Sequence, residues 1–358
     1  MEKINLVNHG YQPILIILVA FAIACNPASR QEKKDLIMEN EFAKGTYGYD
    51  VDFFEKEQIE TVELKNESNG ASVLIVPAYQ GRVMTSSASG KEGKSFGWIN
   101  YKLIEKGEIN TQFHPFGGEE RFWLGPEGGP FSIYFNKGDQ QDFTNWRVPK
   151  EIDTEPFNLI AQTKKTAGFK KQFSLENASG TLLEVNVDRK IRVFGKPEAE
   201  KALNAPIDNS LSWVAYETEN VLTNKGGESW REDNGFLSIW LLSMFNPSEK
   251  GVVFIPFKEG SEEELGKIVA DDYFGKVPSD RLIVKDNVVY FKVDGKHRSK
   301  IGISPERAKP YCGSYDPIEK VLTVLWYSAP KTPQKYVNSK WGEQDDPLKG
   351  DAVNSYND

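Results

Sequence analysis

Apolar and polar positions along this chain recur at strand spacing, in short blocks closed by turn residues. Ser72–Pro77 (SVLIVP) is a brief apolar run ending at a turn, the pattern of a buried strand. Gln58–Lys65 alternates loosely. Phe169–Leu175 and Leu182–Val187 read as strands joined by the turn cluster Asn177-Ala178-Ser179-Gly180. Arg189–Phe194 and Ser212–Leu222 alternate as well, and Phe236–Met244, Val252–Pro256, Leu282–Val284, Val288–Val293 and Val321–Tyr327 add further strands. Helical spacing is confined to Glu262–Ile268. Many short strands separated by turn clusters predict an all-β sandwich or barrel. No repeat and no Pro/Ser linker divides residues 45–358, so one domain is expected there.

One stretch departs from this rhythm. His114–Phe135 (HPFGGEERFWLGPEGGPFSIYF) holds the pairs Gly117-Gly118 and Gly128-Gly129, with Glu119, Glu120, Arg121, Trp123 and Glu127 between them and the strand-like run Phe131–Phe135 after them. Glycine pairs let backbone take positive φ or approach another group closely. Carboxylates and a guanidinium bond hydroxyls, and an indole offers an apolar face with a polar tip. That mixture suits a sugar. It equally suits a structural brace in which Arg121 pairs with a glutamate and Trp123 lies in the core, and the residues alone leave both readings open.

Composition narrows the partners. The 358 residues carry a formal charge of −8, which argues against nucleic acid or an anionic membrane as a partner of a basic surface. The first 25 residues read as a processing segment: Ile14–Ala24 is an apolar run too short to span a bilayer, and Ala22-Ile23-Ala24-Cys25 resembles a bacterial lipobox, with Cys25 as the lipid-bearing residue. Residues 26–44 read as a flexible tether. The expectation is an exported protein, periplasmic or at the cell surface, lipid-anchored through Cys25. Cys312 is then a lone thiol, expected to be small and buried, with no disulfide and no cysteine zinc site. No GxxxxGK[ST], HExxH, EF-hand or GxSxG pattern occurs, so no cofactor and no metal is expected.

Several pieces together resemble a family of exported bacterial lipoproteins of unknown function with a galactose-mutarotase-like fold. They are VLIVPAYQGRVMTSS (73–87), SFGWIN (95–100), FGGEERFWLGPEGGPFSIYF (116–135), NASGTLLEVNVDRKIRV (177–193), DDYFGKVPSDRL (271–282), HRSKIGISPERAK (297–309), SYDPIEKVLTVLWY (314–327) and GDAVNSYND (350–358). The resemblance implies a large antiparallel supersandwich that holds a saccharide on an open face. Aldose epimerases of that class use a histidine acid and a glutamate base. Past residue 25 this chain has only His114 and His297, and it stops at Asn-Ser-Tyr-Asn-Asp with no matching glutamate, so either the base is absent or the sequence is truncated at its C-terminus. Fold alone does not fix chemistry.

The candidate catalytic residues are Glu119 and Glu127, as a carboxylate pair, and His114. Arg82, Arg121, Trp123, Trp98, Asp272 and Lys300 are the candidate substrate-binding residues, with Arg121 expected to orient Glu127 or Glu119. Trp213, Trp240 and Trp326 are expected in the core, Arg298 and Arg307 on solvated faces, and Asp351, Asn354 and Asn357 in turns. Three functions follow in order: a saccharide-binding module, a carbohydrate-active enzyme (epimerase, glycosidase or lyase), and a scaffold that keeps the fold only.

Overall fold

The computed structural model describes residues 41–358. The signal segment, Cys25 and residues 26–40 of the expected tether lie outside them. Residues 41–358 belong to one compact unit.

The first sheet is a meander of β1 (Val62–Asn66), β2 (Ala71–Val76) and β3 (Arg82–Ser87). Every residue of β2 and β3 is buried, because both faces of the sheet are covered. One face packs on α1 (Tyr47–Lys56), whose Phe53 and Phe54 join Leu74, Val76 and Met84 in an apolar cluster. This helix, which no helical spacing in the sequence marked, is capped by Thr46, whose hydroxyl accepts from Tyr49 N at 3.4 Å.

The central stretch continues the sheet. Glu120 exchanges two 3.1 Å backbone bonds with Val83 of β3. The chain then runs as β4 (Arg121–Gly125), which pairs antiparallel with β9 (Ser238–Leu242). The strand in this stretch is therefore β4. The run Phe131–Phe135, expected as a strand, is irregular, although Ile133, Tyr134 and Phe135 are buried.

A second sheet, β5 (Asn158–Gln162), β6 (Thr166–Glu176), β7 (Leu182–Val193) and β8 (Tyr216–Asn224), lies across the core from the first. The two expected strands Leu182–Val187 and Arg189–Phe194 are one continuous strand, β7. Its inward positions Leu183, Val185, Val187, Ile191 and Val193 meet Val62, Leu64, Val73, Ile75 and Phe122 in the largest core cluster. Arg189 falls on the same inward parity and is buried.

The C-terminal part contains a five-stranded antiparallel sheet ordered β11 (Leu282–Lys285), β12 (Val288–Lys292), β10 (Val252–Pro256), β14 (Tyr311–Asp316), β15 (Val321–Trp326). One of its faces packs Ile255, Val289 and Phe291 against Ile301 and Ile303 of β13 (Ser299–Ile303), which pairs with β16 (Val353–Asn357). The all-β class expected from the strand pattern is what the chain adopts, with every strand pair antiparallel. The expected helix at Glu262–Ile268 is a single turn, Glu262–Leu265. Several placements are corrected. Asn354 and Asn357, expected in turns, lie in β16 opposite Gly302 and Ser299. Arg307 is buried and its guanidinium donates to the carbonyls of Lys258, Gly260, Ser261 and Gly266, so it ties loops together instead of meeting water. Trp326, expected in the core, is exposed.

The first glycine pair is required by close approach. Gly118 has φ +117°, and a Cβ there would lie 2.5 Å from Arg82 Cδ and 3.2 Å from Val83 O. Gly118→Ala is expected to lower unfolding free energy by about 2 kcal/mol or more, through backbone strain and the clash with a buried side chain. Urea denaturation at constant m-value checks it, and an unchanged midpoint would remove the argument for this turn.

Candidate functional site

The polar residues of the central stretch separate into two neighbourhoods. The first is sealed. Asp153, at the end of α3 (Lys150–Asp153), accepts from Arg121 Nη2 at 2.8 Å and from the His114 backbone N–H at 3.1 Å, and its Oδ2 lies 2.7 Å from His114 Nδ1. The Asn110 backbone N–H donates to His114 Nε2 at 2.7 Å. Nε2 is thus an acceptor and Nδ1 the protonated donor. Both ring nitrogens are engaged, and the residue is buried, so this arrangement leaves no nitrogen for a substrate.

Arg121 also donates to Ile152 O at 2.9 Å, and its guanidinium lies 4.0 Å from the Trp123 ring centroid. Its direct carboxylate partner is Asp153, where Glu127 or Glu119 was expected. Burial pulls the Arg121 pKa down, and Asp153 opposes the shift. Glu120 takes the fork of Arg189, with Nη1 at 3.1 Å from Oε1 and Nη2 on Oε2, and accepts from Thr218 Oγ1 at 3.1 Å. Arg82 is equally enclosed, donating to Gly117 O at 2.7 Å and Gln80 Oε1 at 3.0 Å.

Glu119 accepts at Oε1 from Ser86 Oγ (2.8 Å) and Tyr216 OH (3.1 Å), while Oε2 is buried without a partner. Burial raises its pKa to about 7, against the pull of those hydroxyls. A buried carboxyl facing one unpaired lone-pair set is better kept protonated. Trp123 is enclosed too, within ring contact of Phe113 and Tyr134, and gives no face to a sugar. Trp98 is half-buried; its carbonyl accepts from Gly118 N at 2.8 Å.

The second neighbourhood is open. Past β4 the chain reaches Glu127, half-buried, whose Oε1 accepts from Trp123 Nε1 at 2.8 Å. Its Oε2 has no protein partner and is not sealed from solvent. The loop is pinned by Gly129 N donating to Gly342 O at 2.8 Å, and a Cβ on Gly128 would meet that oxygen at 2.2 Å. Lys300 of β13 is buried, donates to Ser339 O at 2.5 Å, and lies 4.4 Å and 4.8 Å from the ring centroids of Tyr273 and Tyr356. Burial lowers the Lys300 pKa to about 8, and the charges of Glu127 and Asp351 hold it up. Burial raises the Glu127 pKa; Lys300, the Trp123 indole and Arg121 oppose it. Glu127 and Lys300 therefore feel each other's charge, yet no ion pair joins them. Tyr273 OH donates to Asp351 Oδ2, and Asn354 Nδ2 donates to Ile301 O at 3.2 Å beside it. Tyr356, directly opposite Lys300 in the β13–β16 pair, is 46% exposed.

Of the candidate residues, the fold brings Glu127 and Lys300 together, with Trp123 holding Glu127 from behind. It places His114, Arg121 and Arg82 in the sealed neighbourhood with Glu119. Asp272 is exposed beside Tyr273. Sequence reasoning passed over Asp153, Arg189, Tyr216 and Tyr356, and assigned Asp351 and Asn354 to turns. The available signal was the parity that Arg189 shares with the inward apolar residues of β7. No group of three or more potential metal ligands occurs among the described residues. A cleft of about 400 Å³ lined by Asn69, Gly90, Leu211 and Trp213, among others, shares no residue with either neighbourhood.

Residues 45–358 match one family model. The chain belongs to DUF6786, a family of unknown function. A family of unknown function is what the motifs resemble; the match carries nothing on export or lipid attachment. No curated protein matches the chain. Among solved structures, the DUF6786 chain is similar to a galactose mutarotase-like protein of Lactobacillus casei ATCC 334, at 8% identity over 83% of this chain and 95% of that one, with a TM-score of 0.47. It is also similar to the Slr1438 protein of Synechocystis sp. PCC 6803, at 14% identity over 76% of this chain and 82% of that one, with a TM-score of 0.43.

Two outcomes follow for the sealed neighbourhood. Lysine at position 121 keeps the charge but loses the planar fork, so Arg121→Lys is expected to cost about 2 kcal/mol or more of stability, read by denaturant titration. A stability equal to the parent's would mean the Asp153 pair contributes nothing. Glu119 carries a folded pKa above its unfolded value of 4.5. The unfolded chain therefore releases that proton first, and stability falls as pH rises from about 4.5 to about 7, by a total near 3 kcal/mol. Glu119→Gln is expected to lose that component of the slope and to gain on the parent above pH 7; parallel pH profiles of the two proteins would refute the assignment.

Proposed function

We propose that this protein binds a saccharide at the open neighbourhood of Glu127, Lys300, Tyr273, Tyr356, Asp351 and Asn354. The observation that carries the reading is the unpaired approach of Glu127 and Lys300. One carboxylate oxygen is fixed by an indole, the other makes no hydrogen bond, and no ion pair joins the group to the Lys300 ammonium whose charge it feels. Alternating acceptors and donors in such an arrangement fit vicinal hydroxyls, and the exposed Tyr356 ring supplies an apolar surface for sugar C–H groups. Ligand sites of this kind combine a few placed polar groups with aromatic walls.

A second reading, acid–base catalysis on a sugar, is favoured by one observation: burial moves Glu127 up and Lys300 down to about 8, which shifts the two groups toward each other and eases proton transfer between them and a substrate. In that reading Glu127 acts as the acid or base, in place of His114 or Glu119.

Export and lipid attachment at Cys25 belong to the same proposal, since they would place the site among extracellular glycans. Mass spectrometry of the mature N-terminus checks them, and an unmodified Cys25 in membrane fractions would exclude the anchor.

A glycan array followed by calorimetry on any glycan retained tests the binding reading. Glu127→Gln and Tyr356→Ala are each expected to weaken binding about tenfold, with melting temperature little changed, because neither side chain lies in a core cluster. Failure of the full chain to retain any glycan would overturn the proposal. Anomer exchange or bond cleavage above background, lost in Glu127→Gln, would move the reading from binding to catalysis.

A further inference from the structure

The C-terminal sheet ends in a strand whose chemistry the saccharide reading does not use. β15 is the last strand of its sheet, paired on one side with β14 and with no backbone partner on the other among the described residues. Its sequence, VLTVLW, has no charge, no proline and no bulge. Edge strands left in solvent usually carry one of those devices against pairing. The edge strand β8 of this chain does: Glu217 and Glu219 stand exposed along it. β15 exposes Leu322 (62%), Val324 (43%) and Trp326 (60%) on one face and Leu325 on the other.

The neighbouring strand widens the apolar face. Tyr311 stands opposite Trp326 and Tyr315 opposite Leu322, both exposed. Gly313, opposite Val324, adds no side chain, and a Cβ there would meet Phe254 at 2.5 Å. With aromatic side chains of roughly 150–250 Å² each, the hairpin leaves on the order of 600 Å² of apolar surface open. Pairing along the edge covers the part of this surface that borders the strand, where cross-strand side chains meet.

We propose that β15 pairs antiparallel with β15 of a second copy of this chain, about a two-fold axis through Val324. An axis perpendicular to the sheet keeps the apolar faces of both copies on one side and requires residue i to face residue 648 − i, a sum set by twice 324. Val324 then meets its own copy, and Leu322 meets Trp326 of the other chain. Lys320 meets Ser328, so no like charges oppose each other. Centring on Thr323 would set Lys320 against Trp326 instead. The result is a ten-stranded sheet, twice the five of one copy, with the uncovered edge removed.

Sedimentation equilibrium of the full chain at micromolar concentrations tests this. A reversible dimer is expected. Val324→Lys places two ammonium groups beside the axis and is expected to raise the dissociation constant about tenfold or more. Mixing Val324→Lys with Val324→Glu is expected to restore association as a heterodimer. Hydrogen exchange on the unmodified protein is independent of whether the variants fold: amides of residues 321–326 are expected to slow as concentration rises. A monomer throughout, a Lys variant that dimerises as the parent does, or exchange independent of concentration overturns the proposal.

Discussion

Charge inside a β-sandwich must be paired, and the central stretch carries more of it inward than any other part of the chain. The Glu120–Arg189 fork spans the core: Glu120 continues the first sheet beside Val83, and Arg189 belongs to β7 of the second. Removing one partner of such a pair leaves an uncompensated buried charge, at a cost of about 3–5 kcal/mol. The fork therefore fixes how the central stretch meets β7, and with it the register in which β4 leaves Glu120. Arg121 is the next residue, and strand alternation turns it to the opposite side, where Asp153 and the His114 ring complete a second closed group. Two successive residues thus commit to two different neutralising partners, on either side of one strand.

That commitment has a consequence for everything downstream. With Arg121 held by Asp153 and stacked on Trp123, the indole N–H is left pointing to Glu127, two turns of alternation further on. Trp123 is in this sense both core and site: its ring is enclosed by Phe113 and Tyr134, and its one polar atom orients the carboxylate at the opening. The glycines at 128 and 129 then let the loop close on Gly342, next to the segment whose Ser339 carbonyl holds Lys300. The open neighbourhood is assembled from residues more than a hundred positions apart by backbone contacts that tolerate no side chain.

The strand pattern was legible because it is local. Ser72–Val76 reads as one apolar run because both faces of β2 are covered, and Leu183, Val185 and Val187 alternate because β7 has one covered face. What local pattern could not show was α1, a helix whose apolar residues Tyr47, Phe53 and Phe54 are set by the sheet they pack on. Nor could it show that the strand of the central stretch is Arg121–Gly125, since a buried strand opening on arginine contradicts the apolar template that identifies buried strands. The site was half legible for the same reason. Glu127 and Trp123 lie within one stretch, but Asp153 and Tyr356 acquire roles only by meeting residues far from them in the chain.

Glu119 and Glu127 show why residue type and spacing alone do not assign a carboxylate. They lie eight positions apart in one stretch, both lose solvent, and burial raises both. Glu119 is met by two hydroxyls on one oxygen and by nothing on the other, inside the sandwich, so its easiest state near neutral pH is the protonated one and its effect is on stability. Glu127 has one oxygen fixed by an indole and the other without a hydrogen bond, within reach of the charge of a lysine it does not pair with. The first environment consumes the group, since no ligand reaches it. The second leaves a fixed, unfinished electrostatic contact, and an unfinished contact is what a ligand completes. The distinction lies wholly in which atoms surround Oε2, and that is decided by the turn at Pro126 and the glycines after it, which carry Glu127 out of the sheet that encloses Glu119.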